Sequence, residues 1–323
     1  MRMHNHISVL VTALAGVMIA SGCKSQLDAS TGEPGGESPH CTNGSSPASM
    51  PASMPAADGE RGEQENADMD TAADASAPGG YSEAEFARLH EMKAKDNTPL
   101  RGTMIDLQGS KAYLSLPEGV ASPMPAVLVI HEWWGLNDNV KLWADRLANE
   151  GYAALAVDLY GGKVAATPDE AGALMKSVDK KRAAKTLKKA YAFLGQDKRI
   201  KAKKRGVIGW CFGGGWSLQV ALTEPSLTSS VVYYGELVND PKKLKTIKAP
   251  LLGIFANQDK WITPALVDEF EKALEKAHVT HKILRFDADH AFGNPSNKER
   301  YDRSAAEAAW QETQAFLEQT LKN

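Results

Sequence analysis

Past Thr98 the chain alternates between two residue patterns. That alternation limits its fold more than any other feature of its 323 residues. Short apolar runs recur at Ala126–Ile130, Ala153–Val157, Gly206–Gly209, Ser230–Tyr233, Leu251–Phe255 and Lys282–Phe286, most of them rich in Val, Ile, Leu or aromatics. Such runs read as strands buried on both faces. Helical patterns lie between them, at Asn139–Asn149, Pro168–Leu194, Gly213–Leu222, Pro264–Ala277 and Lys298–Leu321. An earlier pair, Gly102–Leu107 and Lys111–Leu116, reads as an antiparallel hairpin ahead of the series. The alternation implies an α/β fold, with a mostly parallel central sheet flanked by helices on both faces. In such sheets sites gather at the carboxyl ends of the strands, so the residues after each strand are the candidates.

The run ending at Gly209 passes directly into Gly209-Trp210-Cys211-Phe212-Gly213-Gly214. This is the G-x-S-x-G nucleophile elbow with Cys in place of Ser. The sharp strand-to-helix turn leaves no room for bulky neighbours, which accounts for the glycines. A helix N-terminus after the Cys favours a thiolate. A lone Cys among apolar residues also serves as a small core filler, so the elbow needs partners. It demands an acid and then a His, each after a later strand. Ala256-Asn257-Gln258-Asp259 follows one such strand, and Asp287-Ala288-Asp289-His290-Ala291-Phe292 follows the last. Cys211, Asp259 and His290 thus stand in the required order. Asp287 and Asp289 remain alternatives to Asp259. Asp158 also follows a strand but precedes the nucleophile, and His278 and His281 read as surface residues.

Other chemistries fail on spacing. His131-Glu132 would need a second His at position 135, which is Gly, and His90-Glu91 has Ala94 at the matching place, so a zinc-protease ligand set is missing. Gly213-x-Gly215 meets Leu218 where a dinucleotide fingerprint wants Gly, and there is no G-x-x-x-x-G-K. No metal or cofactor is expected. The net charge of −3 argues against a dedicated nucleic-acid binder.

These motifs together resemble the dienelactone hydrolase family of the α/β-hydrolase superfamily, which pairs G-x-C-x-G-G with a Glu at the end of the first core strand. The resemblance runs over roughly residues 98–321 and matches Glu132, Cys211, Asp259 and His290, with Tyr233-Tyr234-Gly235 similar to a further family segment. It implies a Cys-His-Asp hydrolase of esters or lactones that works through a thioester. It implies that Glu132 holds the resting thiol away from the His until substrate binds. It also implies that the backbone N–H groups of Phe212 and Trp133 form the oxyanion hole. Dienelactone-type members grip a substrate carboxylate with two arginines. Here those regions read Asp158-Leu159-Tyr160-Gly161-Gly162-Lys163 and His290-Ala291-Phe292-Gly293-Asn294, with no Arg in the expected places. Lys163 substitutes only in part, because a point charge lacks the guanidinium fork. The expected substrate is therefore a different, less anionic ester or lactone. Trp134, Tyr160, Lys163, Tyr234 and Phe292 are candidate pocket residues. Trp133, Trp210 and Trp261 also flank strand ends, where aromatic pocket and core packing are both open readings.

The N-terminal part reads differently. Ile7–Ala20 is uncharged and mostly apolar, follows Arg2, and is shorter than the roughly 20 apolar residues that span a bilayer. Ala20-Ser21-Gly22-Cys23 resembles the lipobox of bacterial lipoproteins, which implies cleavage after residue 22 and lipidation of Cys23. Residues 24–80 hold ten Asp/Glu against two Lys/Arg and are rich in Ser, Pro, Gly and Ala, with a Pro-Ala-Ser-Met repeat at 47–54. Such a segment cannot bury enough apolar surface to offset ordering, so 23–80 reads as a disordered tether. The expected domain is 81–323, opened by a capping box at Ser82-x-x-Glu85 and a short helix through about Lys95. The expected place is the bacterial cell envelope, with a membrane anchor. Cys41 reads as an incidental thiol or an interchain pair. The sequence is silent on oligomeric state. Two alternatives stand. One is a general carboxylesterase or thioesterase. The other is an inactive tethered binding protein, whose support is the basic stretch from Lys180 to Arg205.

Overall fold

The computed structural model describes residues 100–323. The expected export signal, Cys23, Cys41, the acidic segment, the expected helix over 82–95 and the expected domain start at 81 lie outside those residues. The described chain forms one eight-stranded sheet. Its strands are β1 (Thr103–Asp106), β2 (Lys111–Ser115), β3 (Ala126–Ile130), β4 (Ala153–Val157), β5 (Arg205–Trp210), β6 (Ser229–Tyr233), β7 (Leu251–Ala256) and β8 (His281–Phe286). Their spatial order is β1-β2-β4-β3-β5-β6-β7-β8. The expected hairpin β1–β2 is antiparallel and β2 meets β4 antiparallel, while every pairing from β4 onward to β8 is parallel.

The five inner strands β3 to β7 are buried at every residue except the first of β5, as unbroken apolar runs require. Their side chains alternate between two cores. Ala126, Leu128 and Ile130 face a layer carrying Leu187, Tyr191 and Leu194 of helix α3 (Lys180–Gln196), Leu218 of α4 (Phe212–Thr223) and Phe270 of α6 (Pro264–Lys276). Val127 and Val129 face the other layer, with Leu142, Trp143 and Leu147 of α1 (Asp138–Asn149) and Ala309, Trp310 and Leu317 of α7 (Arg303–Leu317).

Several boundaries differ from the sequence reading. The helix expected over Pro168–Leu194 is two, α2 (Pro168–Lys176) and α3. The break has a local cause. The Asp179 carboxylate accepts the N–H groups of Lys181 at 2.9 Å and Arg182 at 3.1 Å, which starts a new helix there. The final helix begins at Arg303 rather than Lys298, because Asp302 caps it through the Ala305 N–H at 2.9 Å, and it ends in a π-helical turn over Glu318–Lys322. A one-turn helix, α5 (Pro241–Leu244), was not anticipated. Most of the bases between Lys180 and Lys203 are exposed on α3 and the loop after it. Among the described residues no helix is long and apolar enough to cross a membrane.

The strand order sets a switch point at one end of the sheet. From β3 the chain goes first to β4 on one side and then to β5 on the other, so the carboxyl ends of β3 and β5 flank a switch point. Ile130 is in register with Gly209, so Glu132 and Cys211 each lie two residues beyond a matched pair. Trp210 is in register with Tyr233, which sets Tyr234 beside Cys211. Ala256 is in register with Phe286, so Asp259 and His290 leave neighbouring strand ends.

Candidate active site

Cys211 sits on the turn between β5 and α4 with φ +53° and ψ −116°. That conformation is costly for a residue with a side chain, by about 1–3 kcal/mol. It is held from both sides. The Cys211 N–H donates to the Tyr233 carbonyl at 3.1 Å, and the Gly215 N–H donates to the Cys211 carbonyl at 3.2 Å. The glycines permit the contact that forces this turn. A Cβ on Gly209 would lie 2.2 Å from the Gly213 carbonyl oxygen, and one on Gly213 would lie 2.2 Å from the Ile130 carbonyl oxygen. The start of α4 therefore presses against the end of β3. That brings the segment holding Phe212 beside the one holding Trp133. Phe212 opens a helix, so its N–H is one of the first-turn donors with no partner inside the helix.

His290 is buried. Its Nδ1 lies 2.6 Å from Asp259 Oδ2. Asp259 Oδ1 accepts the Trp261 N–H at 2.8 Å and the Ile262 N–H at 3.0 Å. Burial works against a charge on Asp259, yet the His290 bond and these two donors outweigh it and hold the carboxyl below its ordinary range. The alternatives are engaged elsewhere. Asp287 accepts from the Gln258 side chain at 3.2 Å, and Asp289 accepts the backbone N–H of His290 at 2.7 Å. Burial alone would drive His290 towards neutrality. The charge of Cys211, followed by the Asp259 bond, reverses this and pushes the imidazole up to about 10. Its Nε2 is buried without a conventional partner among the described residues, on the ring whose protonation Cys211 favours.

Glu132 follows the end of β3. Asn294 Nδ2 donates to its Oε2 at 2.5 Å. Burial pushes its carboxyl up to about 7, against the pull of His290 and Asn294.

The candidate pocket residues divide. Tyr160 is buried, packs on Phe212 at 5.5 Å between ring centres, and its hydroxyl has no partner among the described residues. Tyr234 is fully buried, 5.0 Å from the His290 ring, and feels the charges of Glu132 and Cys211. Trp134 is half-buried, edge-on to Trp133 at 5.1 Å. Phe292 is fully buried against Phe286 and Tyr234. Lys163 is exposed on a loop that Gly161 and Gly162 carry through positive φ, and its carbonyl packs under Gly135. Trp210 stacks on Trp143 at 4.6 Å in the core, whereas Trp261 stands edge-on to His290 at 5.2 Å.

Comparisons with known proteins give a family. The family model for the dienelactone hydrolase family matches residues 110–321, well over half of the chain. The chain belongs to the dienelactone hydrolase family. It is a hydrolase of that ester- and lactone-cleaving type. "Protein usf" of Aquifex pyrophilus is 34% identical over 68% of this chain and 99% of its own length. "Putative carboxymethylenebutenolidase" of Aquifex aeolicus is 31% identical over 68% of this chain and all of its own length. A solved structure, "Putative Dienelactone Hydrolase" of Klebsiella pneumoniae, is 27% identical with a TM-score of 0.62, covering 68% of this chain and 97% of that one.

Within this family member, sequence reasoning missed two side chains near the site. The sequence offers His131 only as a metal ligand. It is fully buried and braces two loops. The Leu159 N–H donates to its Nε2 at 3.1 Å, so the ring proton is on Nδ1, which lies 2.5 Å from the Glu132 carbonyl. Burial keeps it neutral, with its titration pushed down to about 4. Its direct position after a strand was the available signal. Arg300 lies 4.9 Å over the Trp261 ring, a cation that no strand-end rule would find.

Proposed function

We propose that this family member is a cysteine-dependent hydrolase of uncharged carboxylic esters or lactones. The observation that carries this reading is Cys211 on a strained strand-to-helix turn beside a buried imidazole that Asp259 orients. A free thiol titrates near about 8.5, so few are ionised at neutral pH without help. A protonated His290 beside Cys211 supplies that help. The thiolate attacks the acyl carbonyl and forms a C–S bond. The N–H groups of Phe212 and Trp133 receive the oxyanion, and one such donor contributes about 3–4 kcal/mol. The C–O bond then breaks, and His290 gives its proton to the departing alkoxide. The thioester no longer carries the charge that most favours a protonated His290. The neutral imidazole can then take a proton from water as water attacks the thioester. Free acid leaves, and the Cys211–His290 pair is restored.

The lack of an arginine in either expected place favours a neutral acyl group. The segment after His290 carries Asn294, whose amide bonds Glu132, and Lys163 is exposed. The expected result is faster turnover, by kcat/KM, of neutral short-chain p-nitrophenyl esters and unsubstituted lactones than of carboxylate-bearing dienelactone. Faster turnover of dienelactone would contradict the reading. We further propose that the protein is exported and anchored in the bacterial cell envelope through lipid on Cys23. Support comes from the apolar Ile7–Ala20 run and the small residues before Cys23. Membrane-fraction protein should incorporate labelled fatty acid, and Cys23→Ser should abolish the label. Equal labelling of both would refute the anchor.

A further inference from the structure

The loop after β8 carries more than His290. Four residues on, the Asn294 side chain crosses to the loop after β3 and donates to Glu132 Oε2 at 2.5 Å. Its orientation is not free. Asn294 Oδ1 accepts both the Ser296 N–H at 2.9 Å and the Ser296 hydroxyl at 2.6 Å. An amide whose oxygen takes two donors must present its NH2 to the carboxyl. Asn294 is itself buried. The clamp therefore fixes one carboxyl oxygen of Glu132 with a neutral donor.

Among the described residues, one group that can be a cation acts on Glu132. His290, from the loop after β8, is the charge that acts on it. Tyr234, from the end of β6, faces it with a phenol that stays protonated. Cys211, from the turn after β5, acts on both His290 and Tyr234. His131, its neighbour in the chain, is neutral. Asp259 is committed to His290. A carboxyl held this way by an amide loses its proton less readily than one paired with a fixed cation.

We propose that Asn294, clamped by Ser296, is a positioning residue that holds the Glu132 carboxyl in the catalytic crevice and sets the pH at which that carboxyl changes charge, and with it the reactivity of Cys211. This deepens the reading of Cys211 as nucleophile and rests on it. Direction follows from the geometry. Burial raises the Glu132 titration towards neutrality, and the Asn294 bond opposes that rise. Loss of the bond must move the titration up. A guanidinium in its place must move it down.

The test is the rate of Cys211 alkylation by iodoacetamide against pH, with the alkylated residue identified by peptide mass. The full chain is compared with Glu132→Gln, Asn294→Leu, Asn294→Arg and Ser296→Ala. The wild-type profile should carry an inflection near neutrality that Glu132→Gln lacks. Asn294→Leu should move it up and Asn294→Arg down, each by about one pH unit, the size a single partner commonly gives. Ser296→Ala, which frees the amide to turn, should move it up by less. A purely structural tie would alter thermal stability and leave the inflection in place. An inflection unmoved in both Asn294 variants, or retained in Glu132→Gln, overturns the proposal. Cys211 that resists alkylation at every pH overturns the nucleophile reading beneath it instead.

Discussion

Replacing Cys211 by Ala should lower kcat/KM for any good ester substrate by about 10⁴-fold or more, the scale seen when a catalytic nucleophile is deleted. The fold should survive. Cys211 is buried and contributes one sulfur to the packing, and Ala keeps the same backbone demand at φ +53°. Thermal unfolding should therefore shift little while activity disappears. The change should also reach His290. The charge of Cys211 is the leading influence that raises its imidazole, so the ring should titrate lower in Cys211→Ala when followed by NMR. Cys211→Ser should recover little, because a hydroxyl does not ionise beside imidazole as a thiol does. Hydrolysis that continues in Cys211→Ala at the wild-type rate would remove Cys211 from the chemistry.

The second large effect lies outside the reacting atoms. Gly213→Ala should cost roughly 1–3 kcal/mol or more of stability, the range for overpacking a close contact. The new Cβ would stand 2.2 Å from the Ile130 carbonyl oxygen and 2.6 Å from that of His131. Both are backbone atoms and cannot swing aside. The helix start or the β3 end must retreat, which separates the Phe212 and Trp133 N–H groups. A misplacement of about 1 Å in such a constellation costs on the order of 10²-fold in rate. The variant should thus lose both melting temperature and kcat, with its secondary structure intact by circular dichroism. Wild-type kcat in Gly213→Ala would show that the contact between β5–α4 and β3 does not set the oxyanion geometry.

Much of this architecture is legible in the residues because strands buried on both faces cannot disguise themselves. Val127, Leu128 and Val129 have no polar alternation, and the same holds for Ala153–Val157. Once the strands are placed, their ends are placed, and Glu132, Cys211, Asp259 and His290 fall there together. Local breaks are harder to read. Ser177-Val178-Asp179 continues a helical pattern in polarity, and only the capping bonds of Asp179 end one helix and begin another. Side chains in loops are harder still. Asn294 and Glu132 are far apart in sequence, and nothing local marks them as partners. His131 carries the ambiguity of its residue type, since metal ligand, base and neutral brace share one side chain. Phe292 follows His290 closely enough to suggest a pocket, and its ring packs on Phe286 and Tyr234.

In the proposed mechanism Cys211 carries the acyl group during turnover. The most direct measurement is the intact and peptide mass of the protein mixed with p-nitrophenyl acetate and quenched in acid before turnover is complete. The account predicts one acetyl group on the peptide that contains Cys211, labile to hydroxylamine at neutral pH as a thioester is. It also predicts that His290→Ala changes the amount trapped without changing its place. Release of p-nitrophenol with no acyl group on Cys211, or with a stable acyl group on another residue, would contradict it.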